Sequence, residues 1–229
     1  MVPVPDILFT FESNIAFDVP RALTEIQYLP PITFFLQLVR FDTVIIEKHE
    51  HYVKQTYRNR CYIRSAQGTD RLVIPVQSHG KMLMPEIRID YRQKWLNRHW
   101  RAIQSAYGRA PYFEFYSPAL REVLFSNYEF LYTLNMALLS LCLKWLRLEI
   151  SIAESDRYEK EPQKAVIDLR NTVNPQKSAE WTEFNFPLTY TQVFGRKFVP
   201  DLSVIDLVFC VGPEAGLMVR SAAQGLLNK

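Results

Sequence analysis

The chain has 229 residues, with 27 lysines and arginines against 24 aspartates and glutamates, a net charge of +3, and 48% hydrophobic and 14% aromatic residues. That length and apolar content suit one packed domain. The near balance of charge counts against nucleic acid as a partner, so any electrostatic role has to come from local clustering.

The opening, Met-Val-Pro-Val-Pro-Asp, lacks the basic and apolar regions of a signal peptide. The most apolar span, Leu134 to Leu148, is interrupted by Ser140, Lys144 and Arg147 and reads as a core helix with no membrane insertion. Cys61, Cys142 and Cys210 show neither a C-x-x-C pair nor zinc spacing, as expected of reduced thiols in a cytoplasmic protein. Residues 1–23, with Pro3, Pro5 and Pro20, read as an extended N-terminal extension; residues 24–229 read as a single domain.

A short strand is expected over Thr24–Tyr28, broken by Leu29-Pro30-Pro31. Apolar residues then crowd every face from Ile32 to Arg40, as in a buried helix. Thr43-Val44-Ile45-Ile46 is a β-branched run and a buried strand. The result is a Rossmann-like βαβ unit, which favours a parallel sheet with its ligand at the carboxyl ends of the strands. Hairpin strands follow at Arg60–Ser65 and Arg71–Val76, turning at Gln67-Gly68-Thr69-Asp70, with a third short strand at Glu86–Ile89. The remainder is mainly helical: Gln93–Tyr107 by its three- and four-residue spacing, Pro118–Phe125 with Ser117 as cap, Glu129–Leu146, and Leu202–Cys210 with Asp201 as N-cap. Glu149–Ala153 reads as a strand, residues 154–190 as a polar excursion, and residues after Val219 as a tail. The fold class is α/β, with added hairpin strands and a helical C-terminal half.

Directly after the second expected strand comes the most chemically loaded stretch, Glu47 to Arg64. Lys54, Arg58 and Arg60, with Asn59 and Tyr57 among them, form a donor set suited to a phosphate or carboxylate. The plain alternative is a set of strand-edge cations paired to nearby acids. Glu47, His49, Glu50 and His51 offer a general base near neutral pH; their spacing fits no established zinc pattern, so neither metal nor cofactor is assigned. His99, between Trp95 and Trp100, either stacks on a ligand or is a core histidine. Asp206 is expected to be a buried partner of one of the arginines.

Several motifs in order resemble the WbqC-like protein family. They are Tyr28-Leu29-Pro30 with Phe34-Phe35, His51 to Arg60, Leu72-Val73-Ile74-Pro75-Val76, Trp95 with His99-Trp100, Ala110-Pro111-Tyr112-Phe113, and Leu202 to Leu207 with Gly212-Pro213-Glu214. The family's opening, Gln-Pro-x-Tyr-x-Pro-Trp-x-Gly-Tyr-Phe, is altered here: Glu25 and Ile26 replace Gln-Pro, Pro31 replaces Trp, and Thr33 replaces Gly. The resemblance implies a role in bacterial surface-polysaccharide (O-antigen-type) synthesis. The expected activity is that of a transferase modifying a nucleotide-activated amino sugar. In that scheme Lys54, Arg58 and Arg60 hold the diphosphate, Asn59 orients the sugar, and His49 or His51, with Glu47, deprotonates the amine. Trp95, His99, Tyr57 and Asp206 complete the expected ligand set. The expected partner is a nucleotide sugar or other phosphorylated small molecule, with a second copy of the chain or other glycan-pathway enzymes as further partners. A scaffold of such a pathway, and an RNA-binding protein, are the rival readings.

Overall fold

A computed structural model describes residues 21–182, 185–195 and 197–227. The expected leader therefore lies, up to residue 20, outside the described residues. It is a mixed α/β structure with a parallel sheet of four strands and its helices concentrated in the C-terminal half.

The first strand, β1 (Arg21–Thr24), starts inside the stretch read as leader and ends where the first strand was expected to begin. From Glu25 onward the chain leaves the ladder: Tyr28 donates its N–H to the Tyr57 carbonyl, and Leu29 sits at φ 41°. Helix α1 (Ile32–Leu38) buries Ile32, Phe34, Phe35, Leu36 and Leu38. Its return strand β2 (Thr43–Ile46) pairs with β1 in parallel, Ala22 opposite Val44 and Thr24 opposite Ile46. That is the βαβ unit the sequence predicts.

The other two strands of the sheet come from far along the chain. Strand β7 (Ser151–Glu154) adds in parallel to β2, with Ile46 opposite Glu154. Strand β8 (Val166–Asp168), inside the segment read as a polar excursion, adds in parallel to the far side of β1. The spatial order is β7-β2-β1-β8. Counting these strands as third, second, first and fourth, the order 3-2-1-4 is that of the first four strands of a doubly wound nucleotide-binding sheet. The chain leaves β1 toward β2 but returns to its opposite side as β8, so the gap between β1 and β8 is the switch point at which such sheets place ligands.

Between β2 and β7 lie the hairpin β3 (Arg60–Ser65) and β4 (Gly68–Val73), the small pair β5 (Val76–Gln77) and β6 (Arg88–Ile89), and three helices. The hairpin closes more tightly than expected, Ser65 opposite Gly68, because Gly68 takes φ 128° and can join the ladder. Helix α2 (Trp95–Tyr107) follows its predicted spacing. Helix α3 (Phe113–Leu124) starts before the expected Ser117 cap and carries Pro118 inside it. Its start is fixed by Tyr112, which donates its N–H to the Phe209 carbonyl.

Helix α4 (Leu131–Leu146) buries Leu131, Leu134, Leu138, Leu139, Leu143 and Leu146, and lies at the centre of the core. Each such side chain contributes about 1.5–3 kcal/mol by leaving water. The short helix α5 (Pro175–Ser178) is capped by Asn174. Helix α6 (Val204–Val211) has Ser203, not Asp201, at its N-cap. Where a tail was expected there is another helix, α7 (Ala215–Leu227). Gly212-Pro213 makes a 3₁₀ corner over Gly212–Glu214 that turns α6 into α7 instead of ending the fold.

Candidate functional site

All four strands of the sheet are parallel, so all four carboxyl ends open on one edge. The residues that leave those ends are Glu25 and Gln27 after β1, Glu47 to Glu50 after β2, Glu154 and Ser155 at β7, and Asp168, Arg170 and Asn171 at β8. This is an uncommon concentration of charge for a sheet edge, and much of it is buried: Glu25 is 1% exposed, Glu47 0% and Glu50 6%.

Hydrogen bonds fill these carboxylates. Glu47 accepts from the His49 N–H (2.9 Å) and the Ser155 hydroxyl (2.7 Å) on one oxygen, and from Arg170 Nη1 (3.2 Å) on the other. Glu25 accepts from Gln27 Nε2 and from the Asn171 N–H, both at 2.8 Å. Asn171 sits at φ 58°, a conformation asparagine tolerates better than most residues, and its side-chain oxygen accepts from Arg58. Burial pushes the Glu50 carboxyl above its ordinary range, Arg58 pulls it back, and Glu25 and Glu47 add repulsion.

The two arginines here are part of the framework. Arg58 is 1% exposed and grips Glu50 through two parallel bonds, Nε to Oε1 at 2.7 Å and Nη2 to Oε2 at 2.6 Å. Arg170 holds both oxygens of Asp168 (2.9 and 2.7 Å), Glu47 and the Lys160 carbonyl, and lies over the Tyr158 ring at 5.1 Å. Parting a buried pair such as Arg58–Glu50 costs about 3–5 kcal/mol, because one charge is left buried alone. The exposed pairs Lys48–Glu154 and Arg157–Glu159 are each worth about 0–1 kcal/mol. Those cations are easily released; Arg58 is not.

Two clefts flank this framework. One, of about 430 Å³, lies over the sheet, with Leu23, Ile45 and Val166 in its lining alongside Glu47, Ser155 and Arg157. The other, of about 510 Å³, is lined by His49, Glu50, His51, Tyr158, Asp168 and Arg170. The bond between Glu47 of the first and Arg170 of the second forms a ridge between them.

His49 lines the second of these clefts. Its Nε2 lies 3.1 Å from the Ser155 carbonyl. A carbonyl only accepts, so Nε2 carries the proton, and in the neutral ring Nδ1 keeps a free electron pair. His51 is exposed and lines the same cleft. Of the expected trio, His49 and His51 line one cleft and Glu47 is buried beside it, bonded to the His49 N–H.

The other expected site residues are spread more widely. Lys54 is exposed and lines neither cleft. Asn59 is buried and donates to the Ile74 carbonyl at 2.9 Å. Arg60 is half-buried at the start of β3, and its Nε has no partner among the described residues. Tyr57 is buried; burial first, then nearby Asp201, pushes its phenol well up.

His99 takes the core alternative left open by the sequence. Its Nε2 donates to the Val73 carbonyl (3.1 Å), its Nδ1 accepts from the Tyr28 hydroxyl (3.0 Å), and burial pushes its pKa down to about 4. Trp95 packs edge-on against it at 5.1 Å, fully buried. Asp206 was expected to pair with an arginine; its nearest partners are instead the Tyr190 hydroxyl (2.5 Å) and Gln192 Nε2 (3.0 Å).

Glu25, Ser155, Asp168, Arg170 and Asn171 were not picked out from the sequence. Asp168-Leu169-Arg170-Asn171 does carry a charge signal, but nothing local ties it to residues 47–58.

The first βα turn departs from the phosphate-binding pattern. A doubly wound sheet sets a pyrophosphate at the N-terminus of the helix after its first strand. Here that end of α1 is already held by the Asp201 carboxylate, which accepts from the Thr33 N–H at 2.8 Å and the Thr33 hydroxyl at 2.5 Å. Ser178 donates to its other oxygen. Asp201 is 4% exposed, and the turn has no glycine. Among the described residues, no group of three or more His, Cys, Asp or Glu is arranged to hold a metal ion, and no helix is long and apolar enough to cross a membrane.

Comparison with known proteins places the chain. It is 27% identical over 232 residues to the "Uncharacterized protein Rv1507c" of Mycobacterium tuberculosis, covering 89% of this chain and 98% of that protein. No solved structure gives a significant match. The model of the WbqC-like protein family matches residues 26–178 and 173–217, a span that takes in every residue of the sheet edge except Glu25. The chain is a member of the WbqC-like protein family.

Proposed function

We propose that this protein is a transferase of bacterial surface-polysaccharide synthesis that moves a group onto the amine of a nucleotide-activated amino sugar. The observation that carries the reading is His49. Its proton is fixed on Nε2 by the Ser155 carbonyl, its Nδ1 is free to accept another, and it lines a cleft at the carboxyl edge of a parallel sheet. An ammonium is not nucleophilic. His49 Nδ1 takes one of its protons, the freed lone pair bonds to the electrophilic carbon of the donor, and the donor's leaving group departs with the old bonding pair. The leaving group then receives the proton from His49.

The surroundings suit an amine. Glu25, Glu47, Glu50, Glu154 and Asp168 outnumber Lys48, Arg58 and Arg170 at this edge, and a negative surplus attracts the ammonium form before it is deprotonated. Tyr158, 54% exposed, offers an aromatic face to a sugar ring.

The test is incubation of the protein with nucleotide-linked amino sugars and candidate donors, with the amine product read by mass spectrometry. His49→Gln is expected to cut turnover by about 10²–10⁴-fold, with a much smaller loss in His51→Ala. Equal turnover in the parent and His49→Gln sinks the assignment of His49. No product with any amino sugar, together with capture of a protein partner, favours a scaffold.

A further inference from the structure

Of the three cations expected to hold a diphosphate, Arg58 is locked to Glu50, Lys54 lines neither cleft, and Arg60 lies at the start of β3 and lines neither cleft. The end of α1 is closed by Asp201. Four cations instead surround the ridge between the two clefts. Lys48 lines neither cleft itself but is paired to Glu154 in the wall of the sheet cleft, Arg157 lines that cleft, Lys160 lines the His49 cleft, and Arg170 is bonded to Glu47 in the ridge itself. Among the described residues, Lys48 and Arg157 are partnered only by the carboxylates of exposed pairs, which an incoming phosphate can displace.

We infer that a nucleoside-diphosphate-linked sugar lies across this ridge. The nucleoside rests on the Leu23, Ile45 and Val166 surface of the sheet cleft. The diphosphate crosses at Lys48, Arg157 and Lys160, and the sugar ends in the His49 cleft. Each cleft is of a size that takes one ring system with its substituents. The apolar lining of the first suits the flat face of a base, and its exposed acids, Glu154 and Asp156, accept from ribose hydroxyls. Arg170 acts here as a positioning residue. Four of its N–H groups are already engaged, and it holds Glu47 and Asp168 on either side of the crossing. The inference deepens the transferase reading and rests on it for the identity of the sugar end.

The experiment is calorimetric titration of the full chain with the 5′-diphosphates of uridine, thymidine, adenosine and guanosine, and with the free nucleosides. One diphosphate is expected to bind, and Lys48→Ala with Arg157→Ala should weaken it roughly 10- to 100-fold while leaving the weaker nucleoside affinity unchanged. Val166→Trp, which fills the sheet cleft from an edge strand, should abolish both. Lys54→Ala should change neither. The inference falls if no diphosphate binds, or if binding is indifferent to the Lys48/Arg157 double variant, whose folding is checked by a thermal melt matching that of the parent. Product that depends on His49 but forms without diphosphate binding also overturns this pose, and leaves the transferase reading standing. Binding with the expected variant pattern but no amine product supports the pose and overturns the reading.

Discussion

Arg58 is where expectation and environment diverge most. Five cations between residues 47 and 64 look alike in sequence, yet Arg58 is sealed against Glu50 while Lys48 is half-buried against Glu154 and Lys54 faces water. Which arginine is buried depends on an acid eight residues away and on Asn171, more than a hundred residues away, and neither relation has a local signature. The consequence is measurable. Arg58→Ala should cost about 3–5 kcal/mol of stability by leaving Glu50 buried alone, seen as an early chemical-denaturation midpoint. Lys54→Ala should lie within about 0.5 kcal/mol of the parent. A loss of binding in Arg58→Ala without loss of stability would place Arg58 on the ligand instead.

Two other buried residues make opposite demands on pH. Burial raises the Asp201 carboxyl from 3.8 to about 6, against the pull of Ser178 and Thr33. Its stabilising contribution is complete below pH 3.8 and lost as pH rises through 6. Burial lowers His99 from 6.5 to about 4, so its contribution is complete above pH 6.5 and lost as pH falls through 4. Each is worth about 3 kcal/mol across that window, and they offset one another. Relative to the parent, Asp201→Asn should therefore gain stability as pH rises from 4 to 6.5, and His99→Gln should lose it. Denaturation midpoints measured at three pH values check both signs; parallel curves for parent and variants would refute them.

At the scale of elements, strong periodicity was legible and weak periodicity was not. The spacing of Trp95, His99, Ile103, Ala106 and Tyr107 marks α2, and the run Thr43–Ile46 marks β2, because burial on one or both faces forces a repeating choice of residue. Strand β8 spans only Val166–Asp168, with Ile167 51% exposed. So short an edge strand has no pattern to read; its place is set by pairing with β1. Helix α7 was missed for a different reason. Gly212-Pro213 is a stop signal when read locally, but here the glycine takes φ 70° and turns the chain back onto the core.

Once turned, α7 passes very close to α4: a methyl group on Gly216 would run into the Leu146 backbone carbonyl. Backbone cannot yield as a flexible side chain does. Gly216→Ala should destabilise by about 1–3 kcal/mol or more despite the higher helix propensity of alanine, whereas Gly225→Ala, with open space around it, should be neutral or stabilising. Thermal melts of the two variants separate these outcomes.

For the whole molecule, the α/β class, the βαβ unit and a site at the strands' carboxyl ends could be argued from sequence, since each follows from local pattern and a general rule of parallel sheets. The strand order could not, and with it went the identity of the site's second wall. Asp168, Arg170 and Asn171 reach Glu47, Arg58 and Glu25 only because β8 inserts beside β1.

That same strand order has a consequence for how the protein is made. When β2 leaves the ribosome, neither strand that flanks the β1–β2 pair in the finished sheet has been made. Those flanking residues, Ser151 beside Thr43 and Val166 beside Arg21, are synthesised only about a hundred residues later, some seconds at ordinary elongation rates. Long-range parallel pairing is slow to form, and bare strand edges invite pairing with other chains. Pairing at both edges of the β1–β2 unit, and with it the gathering of Glu47, Arg58, Arg170 and Asn171 at one edge, waits until β7 and β8 have been made.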